Sequence, residues 1–131
     1  MLMEIPLRAA LLAWLAADAS LAAQLNAVTE EAPARTALPW LAVAASASAD
    51  WSAKEVAGRE VRIALELHCR GDQPDAAAAL VASIEARIAT LPPDQPGLRV
   101  VTVLFLRARA EMRAANTRAV LLEYRFRVLA A

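Results

Sequence analysis

VRIALELHC, residues 61–69, alternates without a break: Val61, Ile63, Leu65, Leu67 and Cys69 share one parity, and Arg62, Ala64, Glu66 and His68 the other. Successive strand side chains point to opposite faces, so this period of two predicts an antiparallel strand with one face buried and one wet. The pattern returns in RAVLLEYRFRVLA, residues 118–130. There Val120, Leu122, Tyr124, Phe126 and Val128 make one face and Leu121, Glu123, Arg125 and Arg127 the other. Two such strands need a common apolar cover, and the segments around them supply it.

Residues 5–17 carry apolar side chains at 7, 11, 14 and 15, continued at 21 and 25, the spacing of a helix with one buried face. Pro6 suits the first turn, and Asp18 is placed to cap a second short helix over 19–25. Downstream of the 61–69 strand, RGDQPD opens another helix, with Asp72 as the expected N-cap, Pro74 near the first turn and Asp75 where a capping-box acid stands. Ala77, Leu80, Val81, Ile84, Ile88 and Leu91 form its apolar face, and PPDQPG ends it.

LPWLAVAAS, 38–46, reads as a short strand, its start confined by Pro39 to an edge or a first position. NAVTEEAPARTA, 26–37, reads as a polar connection, and 46–60 as a long hairpin loop. LRVVTVLFLRAR, 98–109, is apolar on both parities: Val100, Leu104 and Leu106 on one, Val101, Val103 and Phe105 on the other. Such a strand is expected to be covered twice, centrally in a sheet or by a partner subunit. EMRAANT follows as a connection. The order is α-(α)-β-β-α-β-β. It predicts an α+β fold, a four-stranded, mostly antiparallel sheet with two main helices packed on one face, as a single domain over 1–131.

Totals narrow the function. Fourteen basic and 14 acidic residues give a formal net charge of zero, against the basic excess of a dedicated nucleic-acid binder and in favour of association. One cysteine, Cys69, forms no internal disulfide, which suits a reducing compartment. The apolar run Ala9–Ala17 is far short of the ~20 residues of a membrane span and is amphipathic, so a first core helix inside the cell is expected.

Catalytic constellations are not expected. His68 and Cys69 are strand neighbours and point to opposite faces. Ser46, Ser48 and Ser52 lie near Asp50 without a nucleophile elbow, and the three glycines are isolated, so no phosphate cradle can be assembled. Glu66 and Glu123 could face the same way, but Arg62, Arg125 and Arg127 beside them point to cross-strand ion pairs. No metal, cofactor or catalytic residue is expected.

Within DWSAKEVAGRE, 50–60, Trp51 stands among Asp50, Lys54, Glu55, Arg59 and Glu60. Either its ring folds over its own sheet edge, or it anchors a contact of the kind interfaces favour. The interface expected on these grounds comprises Trp51, Lys54, Glu55, Arg59 and Glu60 with Arg62, Glu66, Arg125 and Arg127 of the open sheet face.

Taken in order, LAADASLAAQL, ALPWLAVA, DWSAK, GREVRIALELHCR, AAALVASIEARIATL and YRFRV resemble the tail-completion, or tail-terminator, proteins of long-tailed phages and gene transfer agents. The family's loop motif is similar to W-S-x-K, with Ala53 at its third place here, and NAVTEEAPARTA replaces a usual segment. The resemblance implies a structural protein without cofactor. It would form a ring, commonly hexameric, on the head-proximal end of a tail tube. There it would end tube polymerisation and meet the head–tail connector, with DNA only as cargo through the channel and no membrane partner. Its place would be the bacterial cytoplasm during assembly and then the particle. The other reading, from a different class, is a small ligand-binding or regulatory α/β sandwich, which a deep apolar pocket would favour.

Overall fold

Alternation at 61–69 and 118–130 becomes the centre of the sheet. In the computed structural model, which describes residues 3–131, strands β3 (Gly58–Arg70) and β6 (Thr117–Ala130) pair antiparallel along their whole length. Val61, Ile63, Leu65 and Leu67 of β3 and Leu122, Phe126 and Val128 of β6 are at most 1% exposed. Helices α1 (Glu4–Ala16), α2 (Ala19–Gln24) and α3 (Pro74–Ala89) cover this face. Their Leu7, Leu11, Leu15, Leu21, Ile84 and Ile88 join the same apolar cluster. Met1 and Leu2, part of the chain expected as one domain, lie outside the described residues.

Local signals explain the helix ends. Pro6 lies in the first turn of α1, where a missing N–H costs no intrahelical bond. Asp18 caps α2, its Oδ1 accepting from the Leu21 N–H at 3.0 Å. Asp72 does not cap α3. Pro74 takes the first helical position, which leaves Gln73 at the cap without a side-chain bond. Asp72 falls one residue early and sits 3.6 Å from Arg70 in solvent. Asp75 does stand in the first turn, where its charge suits the helix dipole.

Among the described residues the sheet has six strands, not four, in the order β1-β2-β3-β6-β5-β4. The additions are β1 (Val28–Thr29), inside the expected connection and parallel to β2, and β4 (Asp94–Gln95), inside the turn after α3. Two-residue pairings carry no periodicity, so the pattern could not show them. The long strands also run further than expected. β2 (Trp40–Asp50) and β3 leave only 51–57 as a loop, because the alanines and serines of 45–49 pair with β3. β5 (Leu98–Arg113) reaches a turn with Ala115 and Asn116 at positive φ, 59° and 53°.

β5 is the main correction. It is the last long strand before two-residue β4, not a central one, and Val101, Leu104 and Phe105 remain 48%, 41% and 44% exposed. The face assignment also changes. Register shifts fall between Val100 and Thr102 and between Phe105 and Arg107. Each bulge adds a residue and reverses the parity. Val100, Val103 and Phe105 therefore stand opposite Val128, Phe126 and Tyr124 on the helix side, while Leu104 stands opposite Arg125 on the open side.

Candidate assembly surface

At the end of the β2–β3 hairpin, backbone bonds between Ala53 and Val56 (2.9 and 3.3 Å) close a turn whose exposed tip is Lys54 and Glu55. Ser52 Oγ donates to Asp50 at 2.7 Å and accepts the Gly58 N–H at 3.0 Å. A side chain at 58 would meet the Trp51 carbonyl at 2.6 Å, so the close return of the chain requires glycine. The half-buried Trp51 donates its backbone N–H to the Gly58 carbonyl at 3.0 Å. The Arg127 guanidinium stands 5.5 Å from its ring centre, a cation–π distance, and Arg127 Nε donates to Glu60 at 3.2 Å. Trp51 thus meets its own sheet while leaving part of its surface open.

The expected interface residues divide by register. Trp51, Glu60 and Arg127 gather at the hairpin end. Arg59 does not join them: it shares the parity of Val61, on the helix side, and donates to Ser48 at 3.3 Å. Ser48 and Ser46 donate to Glu4, and Arg8 donates to Ser46 at 3.1 Å, which ties α1 to β2. Arg62 and Arg125 stand directly opposite each other in mid-sheet. Neither has a carboxylate within ion-pair distance among the described residues, and Arg125 Nε is buried without a hydrogen bond.

Cross-strand ion pairs do form, with other arginines than expected. Glu123 takes a two-pronged contact from Arg107 at 2.9 and 3.0 Å, and Glu66 meets Arg113 at 2.8 Å. Of the three arginines expected to pair with Glu66 or Glu123, Arg127 alone forms an ion pair, and its partner is Glu60. Burial pushes the Glu66 carboxyl up, but hydrogen bonds with His68 and Arg113 outweigh it and hold it below the ordinary range. Arg107 likewise holds Glu123 low. Arg113 lies beyond the strand expected over 98–109, and Arg107 lies inside that strand but outside the expected interface. The alternation of Arg107, Arg109, Glu111 and Arg113 was there to be read.

His68 and Cys69 point to opposite faces. The imidazole stacks on Trp40 (centroids 4.0 Å apart, planes at 10°) and touches Glu66. Cys69 is 6% exposed, and burial pushes its thiol up, away from the reactive thiolate. Among the described residues no three His, Cys, Asp or Glu side chains gather, and no helix is long and apolar enough to cross a membrane. A concavity of about 540 Å³ is an open groove between α1 and the 92–96 turn, with Asp94 as its one charged side chain.

The α+β fold carries charge ladders and exposed apolar side chains on its long strands. The chain belongs to the family Tail completion protein gp17, whose model matches residues 9–129. It is also similar to a chain in the virion of a native gene transfer agent particle. That match has 26% identity and a TM-score of 0.82 over 95% of each chain. No curated protein matches. The protein is a structural tail protein of the phage type.

Proposed function

We propose that this protein is a tail terminator: copies of it form a ring, hexameric in the simplest case, on the head-proximal end of a tail tube. The ring ends tube growth and presents a second surface to the head–tail connector, and DNA crosses its channel as cargo. Assembly takes place in the bacterial cytoplasm, and the protein then stays in the phage or gene-transfer-agent particle. It works by contact and not by catalysis.

The likeness to a virion chain across 95% of both chains carries this reading. The surface supports it. The hairpin tip at Lys54 and Glu55 and the arginine pair Arg62–Arg125 offer charge that forms no ion pair among the described residues. A directly opposed like-charged pair costs stability in a monomer and is relieved by an acidic partner. Trp51, Glu60, Arg127 and Glu66 frame that pair on the open face, while Arg59 acts from the helix side. The test is growth of tail tubes from purified tube protein with and without this protein, viewed by negative-stain microscopy. Capped tubes of limited length, with a ring at one end, are expected. Tubes that grow unaltered and carry no added density overturn the proposal.

A further inference from the structure

Each outer long strand is paired on its inner side and almost bare on its outer side. β1 covers β2 only at Leu41 and Ala42, and β4 covers β5 only at Leu98 and Arg99. Beyond these, Val43–Asp50 of β2 and Val101–Arg113 of β5 have no strand beside them among the described residues. A bare edge is a row of N–H and C=O groups ready to pair with another chain, and soluble monomers blunt such edges.

The two bare stretches stand at the same level of the sheet. Following the registers across, Ser46 aligns with Ile63, Tyr124 and Phe105, and Ser48 with Val61, Phe126 and Val103. The short caps sit at opposite ends, so neither obstructs the common window. The long strands alternate in direction, β2 and β6 one way and β3 and β5 the other. A second copy rotated about an axis along the strands therefore sets its β2 antiparallel to the β5 of the first.

We infer that neighbouring copies join edge to edge, β5 of one on β2 of the next, so that the sheet continues from subunit to subunit. This rests on the ring reading above and names its contact surfaces. Side chains on the two edges complement each other. β5 brings the exposed Val101, Leu104 and Phe105, and β2 brings the small Ala45, Ser46, Ala47, Ser48 and Ala49. Ile5, 65% exposed, lies next in sequence to the Glu4 that holds Ser46 and Ser48, and adds apolar surface to the helix side of that edge.

Charge agrees as well. Thr29 of β1 aligns through Ala42, Glu66 and Leu121 with Arg109, so Glu30 and the exposed Glu31 follow β1 near the level of Arg107 and Arg109 on the opposite edge. Glu30 is already held by Arg8 at 2.5 Å, which leaves Glu31 as the acid offered outward. A head-to-tail contact of this kind closes into a ring when its rotation allows. The bulges at Val43/Ala45, Val100/Thr102 and Phe105/Arg107 bend the outer strands, as closing a sheet requires.

The test uses the full chain with Ala47→Cys and Leu104→Cys together, treated with a short thiol crosslinker as free rings or bound to tail tubes. A ladder of covalent multimers ending at the ring size is expected. Each single variant gives no covalent multimer, because 47 meets 104 and never itself, and native Cys69 is buried. Phe105→Lys, and separately Val101→Lys, abolish assembly while the melting temperature stays within about 3 °C of the parent. Rings without a ladder, or lysine variants that assemble as well as the parent, overturn the edge pairing and leave the ring reading standing. Covalent dimers from a single variant overturn the head-to-tail arrangement. A parent protein that makes no ring, alone or on tubes, overturns the ring reading and this inference with it.

Discussion

β5 and β6 lie side by side in one hairpin and are both rich in large apolar residues, yet they meet different surroundings. Val120, Leu122, Tyr124, Phe126 and Val128 of β6 are all buried, whereas Val101, Leu104, Phe105 and Met112 of β5 are exposed. The strands differ in position: β6 lies between β3 and β5 under the helices, and β5 has only two-residue β4 beyond it. Apolar content says that a side chain should be covered. Place in the sheet says whether this chain or another must do it.

The largest effect separates the two strands. Phe126→Ala empties a fully buried site and should cost about 3–5 kcal/mol, enough to threaten folding. Phe105→Ala next door should cost less than about 1 kcal/mol while weakening assembly. Denaturant unfolding of both variants measures the gap, and equal losses would break the comparison.

A smaller effect belongs to the helix layer over β6. Trp14 donates its indole N–H to the Arg87 carbonyl at 2.8 Å, and Arg87 returns a bond to the Trp14 carbonyl at 2.8 Å with its guanidinium over the ring. Arg87→Ala removes that half of the lock between α1 and α3 and should cost about 1–2 kcal/mol in thermal or denaturant unfolding.

Titration probes the boundary between the strands. Burial, with Glu85 nearby, pushes the Tyr124 phenol from an ordinary 10.0 up to about 12. The folded state keeps the proton that the unfolded state loses, so stability is unaffected below pH 10.0 and declines as pH rises toward about 12. Tyr124 is the only tyrosine, so an ultraviolet titration that already shows phenolate at pH 10.0 would contradict its burial. Glu66 works at the other end of the scale. Its lowered value means that its contribution is complete above the ordinary 4.5 and is lost as pH falls through the folded value. The difference in melting temperature between the parent and Glu66→Gln should shrink accordingly in acid.

The smallest effect lies at the turn joining the two strands. Ala115 has φ of 59°, a conformation that disfavours a Cβ. Ala115→Gly should raise stability by about 0.5 kcal/mol, the steric relief being partly offset by the added freedom of the unfolded chain.

Much of the centre of the molecule was legible in the sequence. The inward residues of β3 and β6, the apolar faces of α1 and α3, the cap at Asp18 and the opposite facing of His68 and Cys69 follow from local periodicity, and the structure keeps each of them. The candidate site was legible in part. Arg62, Glu66, Arg125 and Arg127 share the open face by parity alone; of the two residues expected in the loop, Glu60 joins them and Arg59 falls on the other side. Outcomes that depend on distant pairing lie beyond local periodicity. Asp72 lost the cap to a neighbouring proline, and the bulges in β5 reversed a parity that period-two counting had assigned.

Parity along a strand and spacing along a helix are properties of consecutive residues, so VRIALELHC could announce a half-buried strand without reference to the rest of the chain. Which arginine meets which carboxylate, and which strand is left at the rim, depend on strand order and register between segments far apart in the chain. That is why Glu123 turned to Arg107 and Glu66 to Arg113, and why the bare edges of β2 and β5 came to light only when the sheet was assembled.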